Sequence, residues 1–265
     1  MTDSTLGSIP CYSGSSGNVS WYGRRVGDTR HFAAYLQQVV RPRVFDSDLG
    51  FDTDLQALAT TGMATEFVAR LLRAVPELEG WEIGEALAEC VLRTDAGLDI
   101  SWPWNTVRDR RSPRSSLPGA DLVGFCQYNS NGVLLVIGEV KTSSDPHAPP
   151  NVMNGGSGMA WQLERCATLP DIQRTLLQWL YARCTSEPFQ TLYKQAVSRF
   201  LASEGKELLI IGVLLRDTTP NENDLQSRGM WLSHRLLAPT RTELFAWYLP
   251  VPISDWSKLL HGEAS

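Results

Sequence analysis

Pro118-Gly-Ala-Asp121-Leu-Val-Gly-Phe-Cys-Gln-Tyr128, then Asn129-Ser-Asn-Gly132, then Val133-Leu-Leu-Val-Ile-Gly-Glu139-Val-Lys141-Thr142 is the stretch on which the fold turns. Two apolar runs flank a short polar segment that contains glycine, the pattern of a β-hairpin. The charges lie at its far end. Asp121 opens the first run, and Glu139 and Lys141 close the second. Residues two apart on a strand point to the same face, so Glu139 and Lys141 project together. A three-residue loop Ser130-Asn131-Gly132, with Gly132 left-handed, pairs Asn129 with Val133 and sets Asp121 opposite Lys141. A two- or four-residue loop would turn Asp121 to the other face.

With that register, one end of one face carries two carboxylates and an amine. Two acidic groups on neighbouring strands can hold a hard cation such as Mg²⁺, which keeps several waters and takes phosphate oxygens. Such a metal lowers the pKa of a bound water and stabilises charge on a scissile phosphate. A neighbouring lysine can orient the water or neutralise the transition state. The plain alternative is a cross-strand salt bridge from Asp121 to Lys141 with Glu139 solvated, contributing about 0–1 kcal/mol if exposed. Against it, Glu139 and Lys141 follow the apolar run Val133 to Ile137 without a break, and charges entering a core strand mark a functional cluster.

Asp121, a gap of 17 residues, then Glu139-Val140-Lys141 across a hairpin resembles the PD-(D/E)XK nuclease superfamily, with Pro118-Gly119-Ala120-Asp121 as the loosened Pro-Asp element. The resemblance implies a restriction-endonuclease-like fold over roughly residues 77–216 and hydrolysis of phosphodiester bonds with Mg²⁺ (or Mn²⁺). Asp121 and Glu139 would be ligands, the Val140 carbonyl a further one, and Lys141 would assist the water. Members often carry a glutamate on the helix before the hairpin. Here Glu82, Glu85 and Glu89 share one face of a helix expected from about Glu79 to Arg93; Glu85 is the choice, Glu89 the second, and a solvated acidic face the alternative. A glutamine after the ExK strand helps place metal or water in several members, which singles out Gln162. Size and the Gly-Glu-Val-Lys-Thr-Ser segment are similar to the nuclease subunits of the Hachiman anti-phage defence system. That likeness implies a DNase acting with a helicase partner.

Working outward, Arg108-Asp109-Arg110-Arg111-Ser112-Pro113-Arg114 leads straight into Asp121. Arg108, Arg110, Arg111 and Arg114 suit contacts to a nucleic-acid backbone, which are electrostatic and salt-sensitive; a linker without a ligand is the alternative. Arg24, Arg25, Arg30, Arg41 and Arg43 form a second basic region, read equally well as solvated arginines. A Gly/Pro-rich loop follows Lys141; His147 within it receives no role. The five cysteines are scattered, without metal-ligand spacing, and read as reduced thiols.

Residues 1–20 are Ser/Gly-rich and expected to be irregular. A helix is expected from Asp28 to Val40, ended by Pro42, then loop to Asp54 and a helix from Leu55 to Val75. After the hairpin come helices from about Ala160, Pro170 and Phe189. Glu207 to Leu215 is an apolar run, hence a doubly buried strand. Helix Asp224–Leu237, strand Glu243–Val251 and a closing helix Ile253–Leu260 complete the order. This predicts an α/β chain: a mixed sheet flanked by helices, restriction-endonuclease-like, with an N-terminal helical extension over 1–76 and the nuclease-like domain over 77–265. Trp231, Trp247 and Trp256 are read as core.

Composition is that of a folded protein, 43% hydrophobic and 20% charged, with net charge −5, so the chain is not a globally basic nucleic-acid binder. No apolar run is long enough to span a membrane, and the start lacks a signal-peptide pattern, which predicts a cytoplasmic protein. A non-catalytic nucleic-acid-binding or assembly subunit is the second functional reading. A small-molecule enzyme is disfavoured, because neither GxGxxG nor a P-loop is present.

Overall fold

The computed structural model describes residues 5–45, 50–73, 78–103, 105, 119–128 and 132–262. Seven strands form one sheet in the order β1-β2-β7-β6-β5-β4-β3. β5 (Val133–Ser143), β6 (Leu208–Arg216), β7 (Arg241–Tyr248) and β2 (Val19–Arg25) run parallel. β1 (Ile9–Ser16) pairs antiparallel with β2 at one edge; β4 (Leu122–Gln127) and the two-residue β3 (Ile100–Ser101) close the other. All nine residues of β6 are buried, as expected of a strand covered on both faces.

Alternate residues of the strands feed two cores. On β5, Leu134, Val136 and Val140 pack on one side and Val133, Leu135 and Ile137 on the other. The first side is covered by α1 (Thr29–Tyr35), α5 (Gly80–Thr94) and α10 (Trp256–His261); the second by α6 (Met159–Thr168), α7 (Pro170–Arg183), α8 (Phe189–Ala202) and α9 (Asn223–Ser233). Trp247 and Trp256 are fully buried, and Trp231 is half-buried against the second core.

The N-terminal segment departs from expectation. Residues 9–25 are a β-hairpin that extends the sheet, not an irregular lead-in. Its glycines face aromatic rings across the ladder: Tyr12 pairs with Gly23 and Gly14 with Trp21. A Cβ on Gly23 would lie 2.2 Å from the Tyr12 ring, and one on Gly14 2.5 Å from the Trp21 ring. The turn is Gly17-Asn18, with Gly17 at φ +57°. The register of β1 slips between Pro10 and Tyr12.

Pro42 does not end the first helix. A π-helical turn, Leu36–Val40, carries the chain into α2 (Arg41–Val44), with Arg41 N–H bonded to Leu36 C=O. The wider turn makes room for a ring that would clash with the carbonyl of an α-helical turn. The segment expected to be loop holds α2 and the start of α3 (Phe51–Ala57), and the helix expected from Leu55 to Val75 is broken between α3 and α4 (Gly62–Arg73).

Candidate active site

Tyr128 N–H bonds to the Gly132 carbonyl at 3.0 Å and Gln127 pairs with Val133, so the loop spans residues 129–131, which lie outside the described residues. This register is two residues away from the expected one. Leu122 pairs with Gly138, and Asp121 N–H bonds to the Gly138 carbonyl at 3.0 Å, which brings Asp121 level with Glu139, not Lys141. A shift of two leaves every side chain on its face. Asp121, Glu139 and Lys141 therefore share the side of the sheet that α6 covers.

Asp121 Oδ2 accepts from Val140 N–H at 2.9 Å, which fixes the carboxylate against the neighbouring strand. Lys141 Nζ lies 2.6 Å from Glu139 Oε1. Glu139 is 3% exposed, and burial and the Asp121 charge push its carboxyl up to about 8, with Lys141 pulling the other way. Like charges held side by side in a poorly solvated place cannot both ionise freely. Nearby, Cys166 Sγ donates to the Gly119 carbonyl at 2.9 Å, tying the chain just before Asp121 to α6. Burial raises this thiol to about 12, so it stays protonated and able to donate.

The three helix glutamates are buried and have different surroundings. Glu82 closes a capping box at the start of α5, accepting from Glu79 N–H at 2.7 Å. Glu89 pairs with Arg43. Glu85 lines the same cavity as Asp121, Glu139 and Lys141. Its approach depends on Gly84, where a Cβ would lie 2.5 Å from Thr142 Cγ2; without a side chain there, α5 seats directly on β5. Gln162, in the first turn of α6, also lines the cavity, and its Oε1 is buried without a hydrogen-bond partner among the described residues. The cavity is about 430 Å³, and Trp81 stands in its wall.

Sequence reasoning did not single out Trp81, although its position one helical turn before Glu85 is the available signal. Arg108, Arg110, Arg111 and Arg114 lie outside the described residues. Of the N-terminal arginines, Arg24 pairs with Asp95 at 3.1 Å and Arg43 with Glu89, so these two serve packing.

The donor set suits a hard divalent cation more than a soft one, since it offers carboxylates and an amide oxygen. Among the described residues no group of three or more His, Cys, Asp and Glu side chains converges as a metal site. Asp121 and Glu139 are the two carboxylates here that could hold such a cation, and Mg²⁺ tolerates a shell completed by water and substrate. A cation between them would relieve the repulsion that raises Glu139. Neither a scan of family models nor a search of curated proteins matches this chain.

Proposed function

We propose that this protein is a divalent-metal-dependent nuclease that hydrolyses phosphodiester bonds of DNA. The observation that carries the reading is Asp121 and Glu139 level with each other on one hairpin, with Lys141 2.6 Å from Glu139, all lining one cavity. Asp121 and Glu139 would hold the metal, with Glu85, the Val140 carbonyl and Gln162 as further oxygen donors. When bound, Mg²⁺ or Mn²⁺ supplies Lewis acidity to the phosphate and an acidified water. The chain's own part is to orient and to compensate. Val140 N–H holds the Asp121 carboxylate in one rotation. The Lys141 ammonium balances Glu139 and stands where it can stabilise charge growing on a phosphoryl oxygen. The apolar residues Val123 and Ile137, fully buried beside the pair, keep the local dielectric low.

The order α5, β3–β4–β5, α6, β6, with α7 and α8 inserted before β6, is compatible with the helix, three strands, helix, strand arrangement of the restriction-endonuclease-like core, which supports that finer description of the fold for residues 77–216. A cytoplasmic anti-phage role with a helicase partner rests on the resemblance alone. The second reading, a non-catalytic binding or assembly subunit, draws on the ion pair that already engages Glu139 and on the small number of grouped ligands.

Cleavage of supercoiled plasmid with Mg²⁺, with Mn²⁺ and with EDTA separates them. Metal-dependent nicking that disappears in Glu139→Ala/Lys141→Ala at matched folding is the expected result. No nicking by the wild type, together with no metal binding by calorimetry, would transfer the protein to the second reading.

A further inference from the structure

The wall formed by Gly119 and Gln162 is shared with a second cavity of about 360 Å³, lined in addition by Arg165, Asp171, Ile172 and Thr175. Its chemistry differs from that of the first. One guanidinium and one carboxylate offset each other, so a phosphate gains little there. Ile172 offers apolar surface, while Arg165 donates, Asp171 accepts and the Thr175 hydroxyl does either. The Arg165 guanidinium lies 4.4 Å from the centroid of the Trp161 ring, a stacking that steadies its plane. One apolar side chain among four polar ones that donate and accept can meet both the face and the hydrogen-bonding edge of a neutral flat heterocycle. In the first cavity, the indole of Trp81 is 41% exposed beside the carboxylates. A large half-exposed ring at a polar site is a stacking platform for a base.

We propose that the second cavity seats an unpaired nucleobase of the strand whose phosphate lies at Asp121 and Glu139, with Trp81 stacking on a neighbouring base, so that the substrate is single-stranded or locally unpaired nucleic acid. The inference rests on the nuclease reading and names its substrate class. A base within a duplex has its edge paired and both faces covered, and must leave the stack to enter such a cavity.

The test measures binding apart from turnover. A fluorescently labelled oligonucleotide, as a single strand and as a blunt duplex of the same sequence, is titrated with full-length protein in Ca²⁺, a divalent ion that takes oxygen ligands, and followed by anisotropy, with no single-strand binding counting against the inference; cleavage of both is then assayed in Mg²⁺. The single strand is expected to bind at least about tenfold more tightly than the duplex. Trp81→Ala should weaken that binding by about tenfold, with Trp81→Phe retaining most of it. Arg165→Ala, on a different helix, should weaken the single strand and leave the duplex unchanged, which guards against a folding defect in the Trp81 variant. Equal or tighter duplex binding, or single-strand binding indifferent to both residues, overturns the inference; the nuclease reading then stands if metal-dependent cleavage persists. Binding that depends on Trp81 and Arg165 without cleavage of either substrate supports the base cavity and overturns the nuclease reading instead.

Discussion

Two clusters of buried charge sit toward the C-terminal ends of adjacent parallel strands, and they are built on opposite terms. At the end of β6, Arg216 and Asp224 are 1% and 0% exposed, with Nη1 2.6 Å from Oδ1. Arg216 also donates to the His147 carbonyl at 3.2 Å and to the Asp145 carbonyl, pinning the loop that follows β5. Tyr248 donates to Asp224 Oδ2 at 2.8 Å, and the Tyr12 and Tyr248 hydroxyls are 2.8 Å apart. One cation meets one anion there, and hydroxyls and carbonyls fill most of the shell, with Arg216 Nε buried without a hydrogen-bond partner among the described residues. On β5, two carboxylates share one ammonium, and the cluster opens on a cavity. A charge group that is balanced and closed holds loops in place. One whose second carboxyl is pushed toward its protonated form by a neighbouring carboxylate, beside open space, has capacity for a cation.

The contrast can be broken at its closed end first. Asp224→Ala leaves Arg216 buried and uncompensated and is expected to cost about 3–5 kcal/mol, read as a lower urea midpoint. Next comes the seating of α5. Gly84→Ala forces a methyl toward Thr142 and should cost about 1–3 kcal/mol in the same measurement. Because Glu85 rides on that helix, the proposed nuclease reading adds that metal-dependent cleavage should fall alongside stability.

The open cluster should respond with the opposite sign. Glu139 has a folded pKa of about 8 against an ordinary 4.5. Between those values the folded state binds the proton and the unfolded state does not, so metal-free stability falls as pH rises from about 4.5 through 8. Glu139→Gln should flatten that part of the profile and equal or exceed the wild type near pH 8, and under the proposed nuclease reading it should also abolish cleavage. Thermal melts across pH in EDTA check it; a Gln variant that parallels the wild-type slope would assign the pH dependence elsewhere. The smallest effect belongs to the surface pair Arg199–Glu207, whose side chains are about a third exposed. Glu207→Gln is expected to change stability by about 0.2–1 kcal/mol, less in high salt.

What was legible in the sequence followed from period. The unbroken apolar run Leu208 to Leu215 gave a buried strand, and the alternation around Glu139 gave the shared face. What failed depended on partners far along the chain. The hairpin register missed by two because turn placement among Asn129, Ser130, Asn131 and Gly132 has several local solutions, and a shift of two leaves the pattern of faces unchanged. The N-terminal hairpin was missed because Ser and Gly disfavour strands in isolation. Its glycines are explained only by the rings of Tyr12 and Trp21 that cross them, although Gly17-Asn18 was a readable two-residue turn. The glutamates shared a helical face in sequence, yet Glu82, Glu85 and Glu89 part company through contacts with Glu79, the cavity and Arg43.

Pro10 and the register slip beside it lie on the outermost strand, and among the described residues the opposite border of the sheet is two residues long. An open sheet whose central strands β5, β6 and β7 are largely buried would offer any neighbouring chain a template at its borders. Here one border lacks an amide hydrogen and is bent, and the other is too short to capture a strand. The sheet therefore has built-in limits to lateral growth, a safeguard against fibrous self-assembly that does not depend on surface charge.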